Sequence, residues 1–190
     1  MEIATRRFLL RDFNKGDQPA FLAYHADPRS LAFYGPDDAE PGHAQRLLET
    51  FKMWAAERPR RNYQLAIIQH REPEPLVGSC GLRSSGCEAG EAELGIELAP
   101  EYWGRYAYAI EVAVALCEFG FGDLGLERIY GGTVSANARI ARLARWFGAV
   151  MAKTSTGPAW MQDRGWSKIE WQITRAQWEG VRLTRADAIR

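Results

Sequence analysis

The stretch Glu93–Glu111, ELGIELAPEYWGRYAYAIE, decides how the rest of the chain is read. Leu94, Ile96 and Leu98 alternate with Gly95 and Glu97, the period of a strand with one apolar face. Pro100 closes that strand, a turn through Trp103-Gly104-Arg105 follows, and an Ala- and Val-rich run from Tyr106 predicts a helix. A strand that feeds a Gly-containing turn and then a helix N-terminus builds an anion site. Unpaired backbone N–H groups and the positive end of the helix dipole converge there. A phosphate-bearing cofactor is the occupant this pattern predicts.

Upstream, Thr5–Phe13 reads as a first strand and Asp17–Ala26 as a helix with Asp17 at its N-cap and Asp27-Pro28 as its stop. Leu31–Gly42 holds Gly35, Pro36, Pro41 and Gly42 and reads as a loop. Leu47, Leu48, Phe51 and Trp54 give His43–Arg58 the spacing of an amphipathic helix. Asn62–Gln69, Leu76–Leu82 and Glu91–Leu98 read as three strands. Downstream, Tyr106–Leu124 reads as the longest helix, Arg128–Val134 as a strand, and Asn137–Phe147 as a helix stopped by Gly148. Val150–Trp178 reads as two strands around a turn-rich segment, Gly157–Gly165. The order predicts a mixed α/β fold, and 190 residues without repeat or linker fit one domain spanning 1–190.

Lys plus Arg equals Asp plus Glu at 24 each, which argues against nucleic acid or an anionic membrane as partner. The cysteines are Cys80, Cys87 and Cys117, an odd number without metal-ligand spacing, so a reducing cytoplasm is expected rather than a disulfide framework. No apolar run reaches membrane-spanning length, and MEIATRRFLLRDF lacks the apolar core of a signal peptide.

Several motifs together resemble the GNAT superfamily of acyl-CoA-dependent N-acetyltransferases, in particular the branch of ribosomal-protein N-terminal acetyltransferases. Thr5-Arg6-Arg7-Phe8-Leu9-Leu10-Arg11 is similar to that branch's T-x-R-L-x-L-R start. Glu93-Leu94-Gly95-Ile96 resembles its E-[IL]-G-[YIF] strand, and Tyr102-Trp103-Gly104-Arg105 its Y-W-G-[KR] approach to the pyrophosphate loop. Asn137 followed eleven residues later by Gly148 resembles its N-x-x-S…G-F segment, and Ile173–Trp178 its closing strand end. The chain departs from the pattern in three places. The second glycine of the loop is missing from Arg105-Tyr106-Ala107-Tyr108-Ala109, with Glu111 one residue late. Ile140 stands where a Ser is expected, and Ala144 where related enzymes carry a Tyr.

The resemblance implies a mostly antiparallel sheet of six or seven strands, flanked by about four helices and splayed between its fourth and fifth strands. It implies acetyl-CoA as co-substrate and transfer of the acetyl group by direct attack of a primary amine, a protein N-terminus or a small amine. The backbone at Ile96, Glu97 and Leu98 would lie beside the thioester. The pyrophosphate would lie over Trp103, Gly104, Arg105, Tyr106, Ala107, Tyr108 and Ala109, with Asn137 bonding the pantetheine arm or the substrate. Alternation puts Glu91, Glu93 and Glu97 on the face opposite Leu94, Ile96 and Leu98. Glu93 is the first candidate for the proton acceptor, from its motif position, and Glu97 the second.

Tyr34, Asp37 and Asp38 are candidates for acceptor contacts, against a hydrated turn as the plainer account. His25, His43 and His70 read as solvated imidazoles, and no metal site is expected. Arg139, Arg142 and Arg145 fit a solvated helix face, or a grip on RNA, acidic protein or the adenosine 3′-phosphate. Trp160, Trp166 and Trp171 fit core packing, closure of the acceptor pocket or a homodimer contact. A catalytically weak acyl-CoA-binding sensor is the alternative that the replaced Ser and Tyr would suit.

Overall fold

The computed structural model describes residues 1–104 and 107–188. Its strands are β1 (Glu2–Ala4), β2 (Phe8–Arg11), β3 (Asn62–Gln69), β4 (Leu76–Arg83), β5 (Glu91–Leu98), β6 (Arg128–Val134), β7 (Val150–Thr156) and β8 (Ser167–Thr174). Its α-helices are α1 (Gln18–His25), α2 (His43–Ala56), α3 (Tyr108–Glu118), α4 (Ala138–Trp146), α5 (Ala159–Gln162) and α6 (Arg175–Ala188). The expected mixed, mostly antiparallel architecture is observed, with eight strands in place of six or seven and six helices in place of about four.

Two compact units share this sequence: Met1–Ser85 with Leu94–Leu116, and Gly86–Glu93 with Cys117–Arg190. In the first, the strand order is β1-β2-β3-β4-β5, and β1–β2, β2–β3 and β3–β4 pair antiparallel. The β3 strand is buried along almost its whole length. Its even-numbered residues Ala66 and Ile68 enter a cluster with Phe13, Phe21 and Tyr24, Leu48 and Phe51 of α2, and Ala99. Phe21 stands edge-on to both Phe13 and Phe51, an arrangement favoured by the ring quadrupoles. The same strand carries two buried polar residues, Asn62 and Gln64, and Ser79 of β4 is buried as well. Gln64 Nε2 donates to Ser79 Oγ at 3.3 Å, while its Oε1 accepts from Arg83 at 3.0 Å.

Asp17 occupies the N-cap position of α1 but has helical dihedrals and makes no cap bond. The cap lies three residues earlier: Asn14 Oδ1 accepts from Gly16 N–H, and Asp17 accepts from Asn14 N–H at 2.7 Å. Both Asp17 oxygens also accept from the Arg11 guanidinium, at 2.7 and 2.8 Å, so a buried carboxylate is fully paired. The stretch read as one loop, Leu31–Gly42, contains two short 3₁₀ turns around Ser30–Phe33 and Pro36–Ala39.

In the second unit the order is β5-β6-β8-β7. The β5–β6 pairing is parallel over three rungs, Glu91↔Arg128, Ala92↔Ile129 and Glu93↔Tyr130, and β8 pairs antiparallel with β6 and β7. The helix expected to reach Leu124 leaves α-geometry at Glu118 and finishes as a π turn over Phe119–Asp123, where Gly120 and Gly122 lower the barrier to irregular winding. Arg175 satisfies the carbonyls exposed there: its guanidinium donates to Phe121 O and, at 2.6 Å, to Leu126 O. Ile173–Trp178, expected to end a strand, instead turns at Thr174 into α6.

All three cysteines are free, and Cys80 and Cys117 are buried. Burial raises both thiols far above the ordinary value, that of Cys117 to about 12. Among the described residues, no helix is long and apolar enough to cross a membrane.

Candidate active site

β5 runs through Leu98, Ala99 and Pro100 into the turn that precedes α3. Trp103 fixes that turn to the strand end, its indole N–H donating to Leu98 O at 2.6 Å. Gly104 follows with φ +68, and an added Cβ there would meet nothing within 4 Å, so the backbone lies open. Ala107 has φ +56 and is the only non-glycine with positive φ among the described residues. Holding an L-residue in the left-handed region costs about 1–2 kcal/mol, and such strain concentrates where a loop is shaped for a ligand. Ala107 O then accepts from Ile110 N–H and Glu111 N–H, both at 3.1 Å, as α3 begins. Gly104 and Ala107, both left-handed, stand before the N-terminus of α3, whose free N–H groups and dipole favour an anion. Tyr108 is buried at the start of α3. Arg105 and Tyr106, expected in the same turn, lie outside the described residues.

A cluster of acid, phenol and imidazole forms around Glu97 of β5. The Tyr34 hydroxyl donates to Glu97 Oε1, and His25 Nε2 lies 3.5 Å from Glu97 Oε2, an ion-pair separation without a hydrogen bond. Although 38% of Tyr34 is exposed, desolvation of its hydroxyl and then the Glu97 charge hold it well above the usual phenol range. His25 is not the solvated imidazole expected. It packs against Phe21 and Tyr24 at ring-centroid distances of 4.3 and 4.5 Å, and its side chain is 12% exposed. Burial depresses its pKa below the ordinary 6.5, against the upward pull of Glu97, so the ring is neutral at pH 7. Two buried polar atoms in this cluster, His25 Nε2 and the Tyr24 hydroxyl, have no hydrogen-bond partner. Nearby, Asp38 accepts from Gly35 N–H at 2.8 Å and lies 3.6 Å from His43 Nε2.

One glycine sets the approach to Glu97. A Cβ on Gly78 of β4 would meet Glu97 O at 2.0 Å, so β5 can lie this close to β4 only because that atom is missing. Gly95 differs: an added Cβ would lie 2.9 Å from the Arg83 guanidinium, the far end of a flexible side chain that can move aside. Ile96 and Leu98, on the opposite face of β5 from Glu97, are half-buried.

Two other expected site residues belong to the second unit. Glu93 pairs with Tyr130 across β5 and β6. The Tyr130 hydroxyl lies 3.1 Å from Cys87 Sγ, and that contact, then burial and the charges including Glu93, raise it to about 12. Asn137 caps α4, its Oδ1 accepting from Ile140 N–H at 3.4 Å. Sequence reading missed the grouping of Tyr24 and His25 with Glu97. The signal available was weak: two adjacent ring side chains at the end of the helix that the Asp27-Pro28 stop defines.

The strand that carries Glu97, held by the Tyr34 phenol, thus leads towards an open left-handed glycine and the N-terminus of α3. The acetyltransferase (GNAT) domain family matches residues 7–150, and the chain belongs to that family. It is 30% identical over 128 residues to YoaA, an uncharacterized N-acetyltransferase of Bacillus subtilis, covering 67% of this chain and 70% of that protein. It is 25% identical over 126 residues to p20, an uncharacterized N-acetyltransferase of Bacillus licheniformis, covering 66% and 68%. Among solved structures, a GNAT-family acetyltransferase from Bacillus anthracis matches in fold with a TM-score of 0.73 at 20% identity, over 92% of this chain and 98% of that one. Spermidine N-acetyltransferase from Vibrio cholerae, solved with CoA and spermine, matches in fold with a TM-score of 0.74 at 17% identity, over 90% and 97%.

Proposed function

We propose that this protein moves an acetyl group from acetyl-CoA to a primary amine, with Glu97 as the carboxylate that takes up the amine's proton. The observation that carries this reading is the Tyr34–Glu97–His25 cluster on the strand that leads into the Gly104–Ala107 turn. The cofactor's diphosphate would lie against Gly104, Ala107, Tyr108, Ala109 and the start of α3, with Trp103 beneath the turn, where open backbone and the helix dipole favour it. When bound, acetyl-CoA supplies an electrophilic thioester carbonyl.

The chain's own groups supply the rest. The substrate ammonium gives a proton to Glu97, directly or through water, and the freed amine forms the C–N bond as the C–S bond breaks. Of the two protons the nitrogen sheds in becoming an amide, one leaves through Glu97 to solvent and the other leaves with the thiol. A main-chain N–H on β5 near Ile96–Leu98 is the donor proposed for the developing oxyanion. Tyr34 holds the Glu97 carboxylate, which is partly exposed, in one orientation towards the incoming amine. We keep Glu93 as the competing base and Asn137 as a pantetheine contact, both from motif position.

For the acceptor we propose a cationic amine, either a small molecule or a protein N-terminus. Carboxylates at Glu97 and Asp38 favour a positive charge, the Vibrio cholerae enzyme of similar fold was solved with spermine, and the Thr5–Arg11 motif resembles the ribosomal-protein branch. The three free cysteines suit a reducing cytoplasm as the site of action.

The test is acetyl-CoA turnover with a panel of polyamines, amino acids, aminoglycosides and peptides, followed by E97Q and E93Q. E97Q is expected to lower kcat/KM on the order of a hundredfold at pH 7, with less loss at alkaline pH where the amine is already neutral. A pH-dependent loss in E93Q and none in E97Q would transfer the role to Glu93. An absence of turnover despite CoA binding would favour a sensor.

A further inference from the structure

Thr5 and Arg7, in the connection between β1 and β2, and Phe8, the first residue of β2, converge on the first turn of α3, within the first unit. Glu111 Oε1 accepts from Thr5 Oγ1 and from Arg7 N–H, each at 2.7 Å, and Glu111 Oε2 accepts from Arg7 Nε at 2.6 Å. The Arg7 guanidinium carbon also lies 4.8 Å from the centroid of the Tyr108 ring. Tyr108 is held on two further sides: Phe8 meets it edge-on at 4.8 Å, and Gln69 Nε2 donates to its hydroxyl at 2.8 Å. Tyr108 is the first residue of α3 and directly follows the left-handed Ala107.

The chemistry of this arrangement is unusual for a polyanion site. A carboxylate in the first turn of a helix favours the empty helix, because it sits at the positive pole. It also competes with any phosphate for that pole. In Glu111 the competition is suppressed, since the carboxylate is drawn to the β1–β2 connection and its charge is met by Arg7. Burial pushes the Glu111 pKa up, but the hydrogen bonds from Thr5 and Arg7 outweigh it and leave the carboxyl below its ordinary value. The group therefore stays ionised and bound to Thr5 and Arg7 throughout the neutral range.

We infer that Arg7, with Thr5, is a positioning residue for the cofactor site: it holds the Glu111 carboxylate away from the N-terminus of α3 and neutralises it, so that this carboxylate does not contend with the cofactor's phosphates for the positive helix pole. The inference rests on the proposed placement of the diphosphate at this turn. It gives the separated pieces Thr5-x-Arg7 and Glu111 one shared role.

The experiment is calorimetric titration of acetyl-CoA into wild type, R7A, R7K, E111Q and R7A/E111Q, with thermal melts and kcat at saturating cofactor. R7A is expected to weaken acetyl-CoA binding on the order of tenfold, from an uncompensated carboxylate at the helix pole, with kcat at saturation within about twofold. R7K is expected to recover part of the affinity. E111Q is expected to bind within about threefold of wild type, because the neutral side chain leaves no carboxylate at the helix pole to contend with the phosphate. The deciding result is R7A/E111Q: affinity returns towards wild type while the melting temperature stays low. A purely structural Arg7 would make affinity and melting temperature fall together and stay down in the double variant, which overturns the inference. Unchanged affinity in R7A overturns it as well. A wild-type protein that takes up no acetyl-CoA overturns the cofactor reading itself, a distinct outcome.

Discussion

Gly78→Ala tests whether the position of Glu97 is set by the β4–β5 approach. The added Cβ would lie 2.0 Å from Glu97 O, 2.9 Å from Leu98 Cα and 3.0 Å from Glu97 C, all backbone atoms that no rotamer change can remove. Reaching the 3.4 Å of an ordinary contact requires β4 and β5 to part by about 1.4 Å at Glu97. The Ala99 N–H to Val77 O bond of 2.9 Å, one residue from Gly78 and two from Glu97, resists that movement. Overpacking of this kind costs about 1–3 kcal/mol. For a chain of this length that is a fall of roughly 2–10 °C in melting temperature. The larger effect is on catalysis, because a misplacement of about 1 Å at a reacting group can cost on the order of a hundredfold in rate. Rates are measured by amine-dependent thiol release at a temperature where circular dichroism shows both proteins folded. Gly132→Ala is the control, since its Cβ would meet only the mobile end of Lys168 at 3.6 Å. A Gly78→Ala protein with kcat and KM within twofold of wild type would refute the claim that this glycine sets Glu97.

Ala107→Gly relieves the left-handed strain at some cost in unfolded-chain entropy, so stability is expected to rise by about 0.5–1 kcal/mol; a lower melting temperature would show that Ala107 is unstrained. Asp17→Ala removes the carboxylate that accepts from the Arg11 guanidinium and from Asn14 N–H, leaving Arg11 only the Asp12 carbonyl, and is expected to cost about 3 kcal/mol, read from the urea midpoint. The pKa of His25 is depressed in the fold, so the unfolded chain binds more protons just below pH 6.5, and stability falls as pH drops through that region. His25→Gln should flatten the urea-midpoint profile there. Asp12 and Glu111, also depressed, add a second decline below about pH 4.5 that His25→Gln should leave intact.

The long strands and α2 were legible because their apolar residues repeat with a clean period; β3, β5 and β6 begin and end at the residues expected. Three features escaped that reading, each for a local reason. β1 has only three residues, too few for a period, and exists through its pairing with β2. The fraying of α3 into a π turn depends on Gly120 and Gly122 inside an otherwise helical pattern. The start of α6 did carry a signal, the capping box Thr174-x-x-Gln177, in which Gln177 Oε1 accepts from Thr174 N–H at 2.8 Å and Thr174 Oγ1 accepts from Gln177 N–H at 3.3 Å. It was hidden because the apolar alternation of β8 runs directly into it. In the site, the turn at Gly104 was readable from glycine and helix order. The association of Glu97 with His25 and Tyr34 was not, since it joins residues 63 positions apart through tertiary packing.

The buried thiols make the two units separately observable. Cys80 belongs to the first and Cys117 to the second, and both are kept from reacting by burial that also suppresses their thiolates. A disulfide reagent added to the folded protein should therefore meet only Cys87 quickly. Each later uptake of reagent marks an opening of the unit that encloses that cysteine. Cys80→Ser and Cys117→Ser versions of the chain would turn the two events into independent clocks. They would tell whether the Glu97 cluster and the α4–α6 region melt in one step or in succession.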